Sequence, residues 1–158
     1  MTKKDRIKAI ESKLRLAASI TPEDCFSQHK RDHEMAVSTY TETVREVEKL
    51  RGYVPDSISY ENWQKLLCKS NFGLGFGRGL LDMKNKTYRN RHRSFNDIES
   101  IVDVFGNACS LIKEEPLVPD HHLNLGNAFG SLGLAKEGKY MLEKSTYWDN
   151  ITAYIQKK

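Results

Sequence analysis

The sequence predicts an all-α fold, a single-domain bundle of about six helices with one long helix in its N-terminal half and an antiparallel helix hairpin at its C-terminal end. Three observations carry that expectation. Apolar residues recur at three- and four-residue spacing along most of the 158 residues. Start signals built from a capping residue, a proline and acids precede several of those stripes. No segment alternates apolar and polar residues well enough to make a convincing strand. The length fits one domain spanning residues 1–158, large enough to bury about two-thirds of the surface its unfolded chain exposes.

The first helix is expected over residues 2–20, where Ile7, Ile10, Leu14 and Ala17, with Ala18 beside it, form a narrow apolar face between basic side chains. Thr21-Pro22-Glu23-Asp24 then reads as a helix start, with a cap, a proline at the first helical position and acids facing the positive end of the dipole. A long second helix should run from about Pro22 to Leu50, with Phe26, His29, His33, Val37, Tyr40, Val44, Val47 and Leu50 in one drifting stripe and Gly52 just past its end. At 1.5 Å per residue it would measure about 43 Å. Ser59 opens a third helix whose apolar weight lies in Tyr60, Trp63, Leu66 and Leu67.

The run Asn71-Phe72-Gly73-Leu74-Gly75-Phe76-Gly77-Arg78-Gly79 sets four glycines at alternate positions, each costing about 1 kcal/mol in a helix interior relative to alanine. An irregular glycine-rich and basic segment is therefore expected over about residues 71–94. Helix, hinge and extended chain all remain open for it, with close helix packing or a hinge favoured. Ser94 with Asp97 restarts a helix carrying Ile98, Ile101, Val102, Phe105 and Leu111 up to Glu115. Pro119-Asp120 starts another, and the last two apolar patterns cover about His121 to Leu134 and Gly138 to Ile155. Over about twenty-five residues, Leu123-Asn124-Leu125-Gly126-Asn127-Ala128-Phe129 with Gly133 following resembles the first helix of a tetratricopeptide repeat. Gly138 and Ser145 stand where that motif favours alanine, and no partner repeat flanks it, so the likeness implies convergent hairpin packing.

The formal charge of +4 is a difference between unlike segments. Residues 1–20 carry +4, residues 21–64 carry −4, residues 65–93 carry +7 and residues 94–158 carry −3. The strongest zone is compact: Lys84, Lys86, Arg89, Arg91 and Arg93 fall within ten residues, interleaved with Tyr88 and His92, with no acid between Asp82 and Asp97. Such a run can neutralise several phosphates, and its aromatic rings can stack on unpaired bases. The plain alternative is an exposed, solubilising loop. Lys69 and Arg78 lie at the margin of the zone, and Lys3, Lys4, Arg6, Lys8, Lys13 and Arg15 extend it if the first helix packs alongside.

Other chemistries are weakly signalled. The glycine run matches neither the dinucleotide fingerprint nor the P-loop, and no strand precedes it. His29 and His33 share a helix face at metal-binding spacing, with His121 and His122 as further candidates, but a site needs three or four converging ligands, so no metal is expected. No nucleophile motif appears, and Glu114-Glu115 reads as a solvated helix end. Cys25, Cys68 and Cys109 are far apart and fit reduced thiols. With no apolar run approaching 18 residues and no apolar leader, a cytoplasmic location without membrane association is expected.

These features converge on a non-enzymatic, cofactor-free protein that binds nucleic acid, DNA or RNA, on its own or as a subunit of a larger protein complex. The contacts would be phosphate-directed and largely sequence-independent, made by Lys69, Arg78, Lys84, Lys86, Tyr88, Arg89, Arg91, His92 and Arg93. The alternative is an adaptor or inhibitor docking through its helical hairpin or long helix, for which Tyr140, Tyr147, Trp148 and Tyr154 are the aromatic anchors.

Overall fold

In a computed structural model, which describes residues 3–22, 30–53, 57–88, 95–143 and 147–156, those residues form helices joined by short connections and contain no strand. The helices are α1 (Lys3–Ile20), α2 (Lys30–Lys49), α3 (Ser57–Tyr88), α4 (Phe95–Glu114), α5 (Pro119–Leu132), α6 (Ala135–Glu143) and α7 (Tyr147–Gln156), with a 3-10 turn at Leu50–Tyr53. The all-α bundle is as the periodicity predicts.

α1 and α2 bury the stripes their spacing dictates. Ile10, Leu14, Ala17 and Ala18 are buried on α1, and His33, Ala36, Tyr40, Thr43, Val44 and Val47 on α2. Thr21 is put to a different use from the one its sequence suggests. Its hydroxyl donates to the Ala17 carbonyl at 2.6 Å and its backbone N–H to the same oxygen at 3.1 Å, so it closes α1. The expected first turns of α2, residues 23–29, lie outside the described residues.

The long helix of the bundle is α3, 32 residues and about 48 Å, whereas α2 has 20 described residues. It runs unbroken through the glycine-rich stretch, so the irregularity expected from residue 71 is absent as far as Tyr88; residues 89–94 lie outside the described residues. Successive residues on a helix are about 100° apart, so alternate glycines are about 200° apart and sort onto two nearly opposite faces. Gly73 and Gly77 face α2, where an added Cβ would stand 2.2 Å from Tyr40 Cε1 and 3.3 Å from Val37 Cγ2. Gly75 and Gly79 face α5, where a Cβ would meet the Leu123 carbonyl oxygen at 2.0 Å and the Asn127 carbonyl oxygen at 2.5 Å.

α5 answers with the same device. A Cβ on Gly126 would lie 2.1 Å from the Phe72 carbonyl oxygen, and one on Gly130 would lie 2.5 Å from that of Phe76. Two Gly-x-x-x-Gly pairs thus bring the α3 and α5 backbones into direct contact and aim glycine Cα hydrogens at carbonyl oxygens. The helix-propensity cost of these glycines is offset by backbone packing and by the side chains between them. Every residue from Ser70 to Gly77 is buried. The rings of Phe72 and Phe76 stack at 6.4 Å, Phe72 meets Phe129 edge-on at 5.6 Å, and Phe129 meets Phe105 of α4 edge-on at 5.3 Å. The largest apolar payload of α3 is therefore this stretch and not Tyr60 and Trp63, which are exposed and half-buried.

Past α5, Gly133 adopts φ 79° and ψ 15°, its N–H bonding to the Gly130 carbonyl while Leu134 N–H bonds to that of Phe129. Both bonds belong to the Schellman motif, which lets α6 begin two residues later. The single last helix expected from Gly138 to Ile155 is instead two, α6 and α7.

Candidate functional site

The basic residues are distributed along α3 and beyond its end. Lys65 pairs with Glu61 one turn earlier at 3.5 Å. Lys69 is half-buried; burial pushes its ammonium pKa down, nearby Glu11 of α1 opposes that and Lys65 adds to it. Arg78 is exposed. Nine residues separate it from Lys69, which puts the two about 180° apart around the helix. Lys84 is only 9% exposed. Lys69, Arg78 and Lys84 therefore do not share one face, and Arg78 alone of the three reaches open solvent.

Lys86 and Tyr88 lie in the last turn of α3. Arg89, Arg91, His92 and Arg93, the densest part of the expected interface, lie outside the described residues, as do the side chains of Lys86 and Tyr88. The described helices still fix where the run falls in the chain: between the C-terminal end of α3 and the start of α4. Cations in the last turn of a helix complement its unpaired carbonyls, each contributing about 0.3–1 kcal/mol. The effect fades within a turn.

α1 contributes little to this zone. Lys13 is ion-paired and hydrogen-bonded to Glu46 of α2, which raises its pKa, and Arg15 donates to Ser12 Oγ at 3.2 Å. Glu11 of α1 acts on Lys69, which is 19 residues or about 28 Å before Tyr88 along α3.

The glycine run holds no phosphate cradle. Its amides lie inside a continuous helix, bonded along the ladder, and both its faces are covered by α2 and α5, so neither a free nest of N–H groups nor a hinge exists there. His33 is buried in the α2 stripe, His29 lies outside the described residues, and no group of His, Cys, Asp and Glu among the described residues could hold a metal ion. His122 is fully buried with Nε2 2.7 Å from the Pro116 carbonyl oxygen. Cys68 and Cys109 are free and buried, and burial pushes the Cys68 thiol up to about 12, far from a reactive thiolate. Cys25 lies outside the described residues.

One surface was not legible in the sequence. The α4 stripe is centred on Phe105, Ala108, Cys109 and Ile112, which leaves Ile98 and Val102 exposed one turn apart and Val104 exposed on the other flank. The exposed positions fit the same helical spacing as the core ones, so periodicity alone does not separate them. Tyr140 on α6 is exposed as well; the side chains of Tyr147, Trp148 and Tyr154 lie outside the described residues. No described helix is long and apolar enough to cross a membrane. No protein-family model matches the chain, and neither do any curated protein or solved structure.

Proposed function

We propose that the protein binds nucleic acid through the basic junction between α3 and α4, by phosphate contacts that are largely independent of base sequence. The observation that carries this reading is the sequence run of Lys86, Arg89, Arg91 and Arg93, with Tyr88 and His92 among them, which in chain order falls where α3 ends and before α4 begins. Four cations in eight residues exceed what capping a helix end requires. Tyr88 and His92 would stack on unpaired bases. Arg78, exposed ten residues before Tyr88, extends the contact along α3 by about 15 Å. Lys69 and Lys84 are left out of the contact set because burial withdraws them from a large ligand.

Fluorescence anisotropy of a labelled single-stranded oligonucleotide, read at salt concentrations from about 50 to about 200 mM, tests the proposal. Log affinity should fall linearly with log salt, and the combined variant R89Q/R91Q/R93Q should lower the slope by about 2, at about 0.7 for each phosphate that is no longer neutralised. A slope near zero, or an unchanged slope in the variant, refutes it.

The second reading is a protein-binding adaptor. It is favoured by Ile98 and Val102, whose exposure gives the N-terminal half of α4 an apolar flank directly after the basic run. It takes precedence if the oligonucleotide titration is flat.

A further inference from the structure

At the opposite end of α3 lies a cleft of about 380 Å³, walled by four parts of the chain. α3 contributes Glu61 and Lys65, the end of α4 contributes Ile112 and Lys113, the following connection contributes Pro116 and Leu117, and α7 contributes Ile151 and Thr152. Lys65 is 23 residues before Tyr88, about 35 Å along the helix, so the cleft and the basic junction are separate sites.

The chemistry of the walls is divided. Ile112 and Ile151, both almost fully buried, make the floor together with Leu117 and Pro116, so the lining is mainly apolar. The rim is charged. Glu61 and Lys65 form an i,i+4 ion pair at 3.5 Å and largely neutralise each other. Lys113 is exposed in the last turn of α4 and has no ion-pair partner among the described residues, so it leaves the rim with one net positive charge. The volume is at the lower end of the range of small-molecule sites, which pair an apolar lining with a few polar groups that fix orientation.

We infer that this cleft binds a small amphipathic carboxylate, with its hydrocarbon body on Ile112, Leu117 and Ile151 and its carboxylate on the Lys113 ammonium. A cation is disfavoured by the net charge of the rim. A neutral molecule of the same shape gains the apolar contact and forgoes the charge-assisted hydrogen bond. Thr152, exposed at the wall, adds a hydroxyl to the polar part of the lining.

Methyl-resolved NMR of the full chain titrated with sodium decanoate, decanol and decyltrimethylammonium provides the test. Decanoate should shift the methyl signals of Ile112, Leu117 and Ile151 saturably. Decanol should bind about tenfold more weakly, and the ammonium analogue should leave those signals in place. K113Q should weaken decanoate about tenfold without changing decanol, and T152W, which fills the cleft, should abolish both. Equal affinity for decanoate and decanol, an unchanged decanoate affinity in K113Q, or shifts at other methyls in place of these three would overturn the assignment. None of these readouts depends on oligonucleotide binding, so the two proposals stand or fall apart.

Discussion

At His122 the ring is fully buried with Nε2 2.7 Å from the Pro116 carbonyl oxygen, which can only accept, so Nε2 carries the proton of a neutral imidazole. Burial is the main cause that pushes its pKa down to about 4; the bond to Pro116 pulls the other way and the neighbouring His121 lowers it further. In the unfolded chain the same ring titrates near 6.5. Between these values the unfolded state takes up the proton and the folded state does not, so the contribution is intact above about pH 6.5 and is lost as the pH falls toward 4. At about 1.4 kcal/mol per unit the loss is of order 3 kcal/mol across the window. Urea unfolding of the wild type should show this decline, and H122Q, which keeps an N–H donor without titrating, should show a shallower one. Equal slopes for the two proteins would mean that His122 is not the group responsible.

Between elements, the decisive contact is the crossing of α3 and α5, and its glycines differ sharply from a glycine that merely occupies a helix. Gly106 on α4 is exposed and an added Cβ there meets nothing within 4 Å, so G106A should stabilise by up to about 1 kcal/mol. G75A and G126A place a methyl at 2.0 Å and 2.1 Å from backbone oxygens that have no rotamer to escape into, and each should destabilise by more than about 2 kcal/mol. Both substitutions push the same two backbones apart, so the double variant should cost at least about 0.5 kcal/mol less than the two single costs combined. Additive costs in denaturant unfolding would show instead that each clash relaxes locally. The same crossing explains what was legible in the sequence. α1 and α2 each bury one side, so their period of 3.6 stands out and Ile10, Leu14, Tyr40 and Val47 are found where spacing puts them. α3 is buried from several directions over Ser70–Gly77, which erases the one-sided stripe, and its alternate glycines imitate an extended pattern. A signal did exist: Gly75 with Gly79 and Gly126 with Gly130 share a four-residue spacing, and two such pairs in different helices are mutually explanatory only when read together. The break between α6 and α7 left no comparable mark, because their apolar residues stay in phase across it.

For the molecule as a whole, the question is whether a formal charge of +4 acts as a diffuse field or through one locus. The candidate interface was only partly legible because counting charges along the chain does not register burial. Lys69 and Lys84 add to the +7 of residues 65–93, but Lys69 is half-buried and Lys84 buried, and Lys13 is held by Glu46. The charge that the described part of residues 65–93 presents to solvent is therefore smaller than the segment total. A matched pair of variants separates the two cases. R89Q/R91Q/R93Q and K8Q/R15Q/R45Q each lower the formal charge from +4 to +1, the second by neutralising exposed side chains of α1 and α2. Long-range steering depends mainly on net charge, whereas phosphate contacts depend on position. The first triple should lower oligonucleotide affinity at least tenfold at about 0.1 M salt, where the Debye length is only about 10 Å. The second should change it less than about threefold, since its cations are on α1 and α2 and none belongs to the run that the proposal puts on phosphates. Equal losses in the two triples, measured by anisotropy with the same oligonucleotide, would assign the binding to the overall field and remove the junction as its site.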